Sequence, residues 1–242
     1  VISQNDWEAT PYAFEGLLIN WEHEFMRLNL FGVKAADNFP AAAKTGTTNN
    51  NDPEVNFLGT AIDFKSLPEF LKMVNLHFMK INGNRTAVTD GRDEMRYGVV
   101  IAGDVAGVDY KLGYAANAGE TKTAAASTDQ EGMMYQAEVG FSMPEMMKSR
   151  IYVGYHQDSG DKTGTADKDE DYDEFYYERH CNSGCMDVLR WGNLTFIKAG
   201  YTFSPMDQVD VGLHYWKFER SETTDTPNTG LNGYAGMLAG SG

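Results

Sequence analysis

The basic side chains Arg27, Arg96, Lys111, Arg150 and Lys198 recur singly, each within a stretch where apolar and polar residues alternate. Cations spaced that way do not assemble a catalytic centre; they line a surface, and fixed charges on a pore wall set which solutes pass. Glu138 and Asp210 fall at equivalent polar positions and offset part of that charge, as does Asp63. The same charges could also simply pair across neighbouring strands. His23, His77, His156, His180 and His214 stand singly, and none adjoins a nucleophile motif such as Gly-x-Ser-x-Gly. The residues therefore do not read as an enzyme, and no cofactor is expected.

Two other groups could do chemistry. Cys181 and Cys185, spaced Cys-Asn-Ser-Gly-Cys, are the only cysteines, and in an exported protein so close a pair reads as a small disulfide pinning a loop. His180, Cys181, Cys185 and Asp187 could instead ligate a metal, but no second ligand pair with zinc-type spacing follows. Between Asp158 and Glu178 lie nine acids and two lysines. Asp169, Asp171 and Asp173, with their acidic neighbours, offer the carboxylates that hold Ca²⁺ or Mg²⁺. The run lacks the fixed Gly and closing Glu of an EF-hand loop, and it reads as a solvated charged loop.

The elements that must carry these residues are strands. Val108, Tyr110, Leu112 and Tyr114 alternate with Asp109, Lys111 and Gly113, a period of two rather than 3.6. Similar alternation marks about ten segments between Tyr12 and Arg220, with about ten to thirteen residues in each. Their connections alternate in length. Short ones fall at Glu22 to Glu24, Ser66 to Phe70, Asp104 to Gly107, Met143 to Met147 and Ser204 to Asp207. Long ones fall at Ala35 to Glu54, Asn82 to Asp93, Ala118 to Glu131, Gln157 to Arg190 and from Ser221 onward. Aromatics such as Tyr12, Trp21, Tyr97, Phe141, Phe203 and Tyr215 gather near strand ends, as in interfacial girdles. The pattern predicts an all-β fold: a transmembrane antiparallel up-and-down β-barrel of the outer-membrane porin type, with residues 1–242 forming a single domain.

The formal charge of −15 argues against nucleic acid as a partner. No long apolar run reads as a transmembrane helix, and Val1 to Thr10 has neither the basic start nor the apolar stretch of a signal peptide, so mature protein or a fragment is expected.

A family comes into view at Trp191-Gly192-Asn193-Leu194, which leads through Pro205 to His214-Tyr215-Trp216. This stretch resembles the late hairpin of alginate-export-type outer-membrane porins. Ala13-Phe14-Glu15-Gly16 looks like the family's early Ala-Phe-Asp-Gly strand, and Asn56 to Phe64 with the Leu67-Pro68 turn fits as well. The resemblance implies a larger barrel of about eighteen strands, of which this chain would be a middle-to-late portion lacking several N-terminal and about two C-terminal strands. It also implies an arginine- and lysine-lined lumen for an acidic polysaccharide, which Glu138 and Asp210 match only in part.

The function expected is therefore a channel of the Gram-negative outer membrane, passing small or polymeric hydrophilic, and in part anionic, solutes by passive diffusion. Arg27, Arg96, Lys111, Arg150, Lys198, Glu138 and Asp210 are the candidate lining residues. Membrane lipid and lipopolysaccharide are the expected surroundings, with a second copy or another outer-membrane protein as a candidate partner. The alternative is a structural or surface-interaction barrel that acts through its acidic outer loops.

Overall fold

The computed structural model describes residues 14–35, 55–83, 91–122, 126–165, 167–173 and 192–225. These form β1 (Phe14–Glu22), β2 (Met26–Ala35), β3 (Val55–Phe64), β4 (Leu71–Gly83), β5 (Gly91–Val105) and β6 (Val108–Lys122). They continue with β7 (Ser127–Gln130), β8 (Met133–Met143), β9 (Ser149–Asp158), β10 (Lys168–Asp169), β11 (Thr195–Met206) and β12 (Val209–Glu219). All twelve belong to one sheet, in the order β1-β2-β3-β4-β5-β6-β8-β9-β11-β12, with β7 and β10 off that path. Every pair on the path is antiparallel, and the path follows chain order with only the short β7 and β10 passed over, which is up-and-down topology of barrel type. Among the described residues β1 and β12 do not pair, so the sheet is an open arc.

The short connections are as tight as the sequence predicts. At the β5–β6 turn Ala106 and Gly107 take positive φ of 51° and 85°. Left-handed backbone at both central residues is the type I′ geometry, whose twist matches that of the flanking strands. The long connections differ from expectation. β5 and β6 run fifteen residues each and extend into the region read as loop, and β7 and β10 lie wholly within long connections. β10 pairs with β7 in parallel, Lys168 beside Asp129 and Asp169 beside Gln130. Neither piece has the length or alternation that would mark a strand in sequence.

Register assigns the two faces. One carries Leu17, Ile19, Leu58, Leu76, Leu112, Val139, Ile151 and Leu213, all exposed, with Leu213 retaining 65% of its surface. An apolar face exposed from β1 to β12 goes far beyond the scattered apolar residues of a soluble surface. The opposite face, called inner here, carries the charged positions. Its buried apolar residues form two clusters. Phe57, Met79 and Ile81 make one; Ala115, Met134, Tyr172, Leu194 and Phe196 make the other.

Candidate functional site: a paired charge wall and an inward segment

Antiparallel register lines up side chains in rows across β6, β8, β9, β11 and β12. One row is Lys111, Glu138, Gly154, Lys198, Trp216; the next is Asp109, Gly140, Tyr152, Gly200, His214. Ion pairs knit the rows together. Arg150 donates from Nε to Asp109 Oδ2 at 2.9 Å and from Nη2 to Glu138 Oε1 at 2.8 Å. Lys198 Nζ lies 2.5 Å from Glu138 Oε2. The Arg150 guanidinium also sits 4.7 Å from the centre of the Tyr152 ring, whose hydroxyl is 2.7 Å from His214 Nδ1. Glu138 thus serves two cations and Arg150 two carboxylates, giving a connected network rather than isolated pairs.

Glycines let this network lie flat. A Cβ added at Gly140 would collide with the Arg150 guanidinium, one at Gly154 with the Lys198 stem and one at Gly200 with the Tyr152 ring. Each large side chain therefore rests on the bare backbone of the next strand instead of projecting from the wall. Glycine weakens a strand, so its placement under these chains points to a need for close approach.

Toward β3 the inner face has a second polar patch. Asn75 Nδ2 donates to Asp63 Oδ1 at 2.7 Å, and Asn75 Oδ1 lies 3.2 Å from His77 Nδ1. A cavity of about 270 Å³ opens here, bounded by Asp63, His77, Arg96, Lys111, Gln136 and Tyr172 among others. Arg96 is buried, with Nη2 3.1 Å from Met79 Sδ. Lys111 is exposed and makes no ion pair among the described residues.

All seven residues named from sequence share the inner face. Glu138, Arg150 and Lys198 meet in the network, with Lys111 beside Glu138 in its row. Arg96 lies at the cavity. Arg27 stands 3.7 Å from Glu22 near a short turn, and Asp210 accepts the Ser204 hydroxyl at 2.6 Å near another. The wall is not basic-leaning, however. Glu22, Glu94, Asp104, Asp109 and Asp158 join Asp63, Glu138 and Asp210 on that face, against Arg92 and the five basic residues. Acids slightly outnumber bases once register is known.

The inner face also receives a piece of the β9–β11 connection. Residues 159–165 and 167–173, read from sequence as solvated loop, fold back toward the wall. Tyr172 is 2% exposed and packs with Ala115, Met134, Leu194 and Phe196. Arg92 Nη2 pairs with Asp173 Oδ2 at 2.6 Å and also binds Glu94. Asn117, itself buried, accepts the Asp173 backbone N–H at 3.0 Å and donates to its carbonyl at 3.0 Å. Lys168 Nζ reaches both oxygens of Glu131, at 2.8 and 2.9 Å. Gly132 has no Cβ because one would strike the Asp171 carbonyl and the Tyr172 Cα.

The acids of the segment are crowded. Burial, then the nearby carboxylates of Asp225, Asp169, Asp158 and Asp173, push the Asp171 carboxyl up to about 8. Burial likewise raises Asp169. Asp169 accepts from the Asp171 backbone N–H and from Gln130, and Asp173 is held by Arg92. Among the described residues no group of three or more His, Cys, Asp or Glu side chains is placed to hold a metal ion. Cys181, Cys185, His180 and Glu174 lie outside the described residues.

Sequence alone missed Asp109, Tyr152, Arg92, Asn117 and Tyr172 as site residues. An aromatic at 172 inside an acidic run is the one local signal that this stretch buries something.

No curated protein matches the chain. A family model described as alginate export matches residues 1–240, and the chain therefore belongs to the alginate export family.

Proposed function

We propose that this protein is a passive channel of the bacterial outer membrane, through which hydrophilic solutes move along the inner face. The observation that carries the reading is the contrast between the two faces: one exposed and apolar from edge to edge, the other polar and charged. An exposed apolar face of that extent suits lipid, and a polar, charged face behind it suits a water-filled path. Lipid and lipopolysaccharide cover the outer face, the short turns lie on the periplasmic side, and the long connections face outward. The family's description names alginate, a polyanion. In this arc Arg150 and Lys198 are already bound to carboxylates, so attraction for anions falls mainly to the exposed Lys111. The reading is a weakly selective path for polar solutes, small or polymeric, with no bond made or broken.

The acid-rich segment on the inner face favours a second reading, a closed barrel that works through its outer loops. Planar-bilayer recording of the purified full-length protein separates them. Discrete conductance steps are expected; silence at all voltages favours the closed barrel.

A further inference from the structure

We infer that residues 159–165 and 167–173 form the constriction that sets the size of solute this channel passes, with Tyr172 and the Arg92–Asp173 pair as the residues that hold it in place. The inference rests on the channel reading above.

Its first support is position. Tyr172 bounds the same cavity as Asp63 of β3, His77 of β4, Lys111 of β6 and Gln136 of β8, so its ring stands over the inner face rather than beyond the strand ends. The second is fixation. A loop that merely touched the wall would be held by its own local bonds. This one is held by wall groups far away in sequence: Arg92 lies 81 residues from Asp173, and Asn117 lies 56 residues from it. Backbone bonds extend the anchorage, from Asp129 N to Asp167 O, from Glu131 N to Asp169 O and from Ser159 N to Met133 O, all 2.9 Å. A segment tied at so many points is a fixed part of the bore and not a fluctuating lid.

The wall elsewhere keeps its large side chains flat over glycines. Here it does the opposite: Gly132 makes room for the segment's backbone, and the ring of Tyr172 is packed on side chains that face inward. A polar solute crossing in either direction must pass both the segment and the ion network on neighbouring levels of the wall.

The test uses the full-length protein in liposomes, with Tyr172→Ala and, as a milder variant expected to fold normally, Asp173→Asn. Two quantities are read: amide exchange at residues 172 and 173, and swelling rates with arabinose and with the larger raffinose. Wild type should protect both amides and admit arabinose well ahead of raffinose. Tyr172→Ala should speed exchange by about a hundredfold or more and raise the raffinose-to-arabinose ratio by about twofold or more, with Asp173→Asn between wild type and that variant. A wild type that excludes both sugars while Tyr172→Ala admits them supports the inference in a stronger form. Unprotected amides in the wild type overturn it, and so does an unchanged sugar ratio when exchange shows that the segment has left the wall. No swelling by any form sinks the channel reading itself, and this inference with it.

Discussion

Two ion-pair systems sit on the inner face and do opposite things to the space in front of them. The network Asp109–Arg150–Glu138–Lys198 joins neighbouring strands, and every member lies along the wall. The Arg92–Glu94–Asp173 system joins the wall to a chain segment from a different connection and draws that segment inward. The chemistry is the same, guanidinium or ammonium with carboxylate. What differs is whether the partner is fixed by sheet register or brought in from a loop. Register-fixed pairing cancels charge and keeps the side chains against the sheet; loop-borne pairing brings a second layer of chain over the inner face.

Disrupting the second system should have the largest effect. Replacing Tyr172 with Ala removes a fully buried ring from the cluster of Ala115, Met134, Leu194 and Phe196, and should weaken docking of the segment by about 3–5 kcal/mol. Hydrogen exchange at residues 159–173 in the variant checks this, and unchanged protection would show that the ring is not the anchor. Next in size is Gly154→Val. Its Cβ would come within 2.7 Å of Lys198 Cε, so the lysine must leave the wall and project into the bore. An overpacking cost of about 1–3 kcal/mol and a smaller single-channel conductance are expected. Equal conductance would mean that the flat arrangement does not matter for passage.

Glu138→Gln is milder. It releases Lys198 and one arm of Arg150 in a partly exposed setting, so thermal stability should fall by about 1 kcal/mol or less. Its sharper consequence is electrical, since two cations lose a shared anion. The reversal potential under a salt gradient should shift toward anion preference, and an unchanged potential would take the network off the conduction path.

The most graded effect is that of pH on the segment. The Asp171 carboxyl is raised to about 8 when docked, from an ordinary value of 3.8. The docked state therefore keeps a proton that the released state gives up between those values. This contribution to docking is fully present below about pH 4, fades as pH rises toward 8 and is constant above. Exchange rates at residues 172 and 173, corrected for intrinsic pH dependence, should be faster at pH 8 than at pH 5. Asp171→Asn should flatten the difference. An unchanged slope in that variant would assign the pH response to another group.

Much of the fold could be read from sequence because period-two alternation and turn placement are local. Val108 to Tyr114 announces both a strand and its two faces, and all seven proposed wall residues came out on one face for that reason. What alternation does not contain is register. That Arg150 reaches Asp109 across Gly140 depends on how β9 slides against β8 and β8 against β6, which no single strand specifies. Asp109 was visible as a polar-face residue, but its partner was not. The inward segment was hidden for a different reason. Acidic, short of apolar residues and rich in Asp, it has the composition of a solvated loop, and only long-range contacts from Arg92, Asn117 and Glu131 hold it down.

The most direct test is single-channel recording of full-length wild type beside Tyr172→Ala. Discrete steps with weak ion selectivity are expected from the wild type, and larger steps of similar selectivity from the variant. Silence from both proteins, once they are shown to be inserted in the bilayer, would contradict the channel reading.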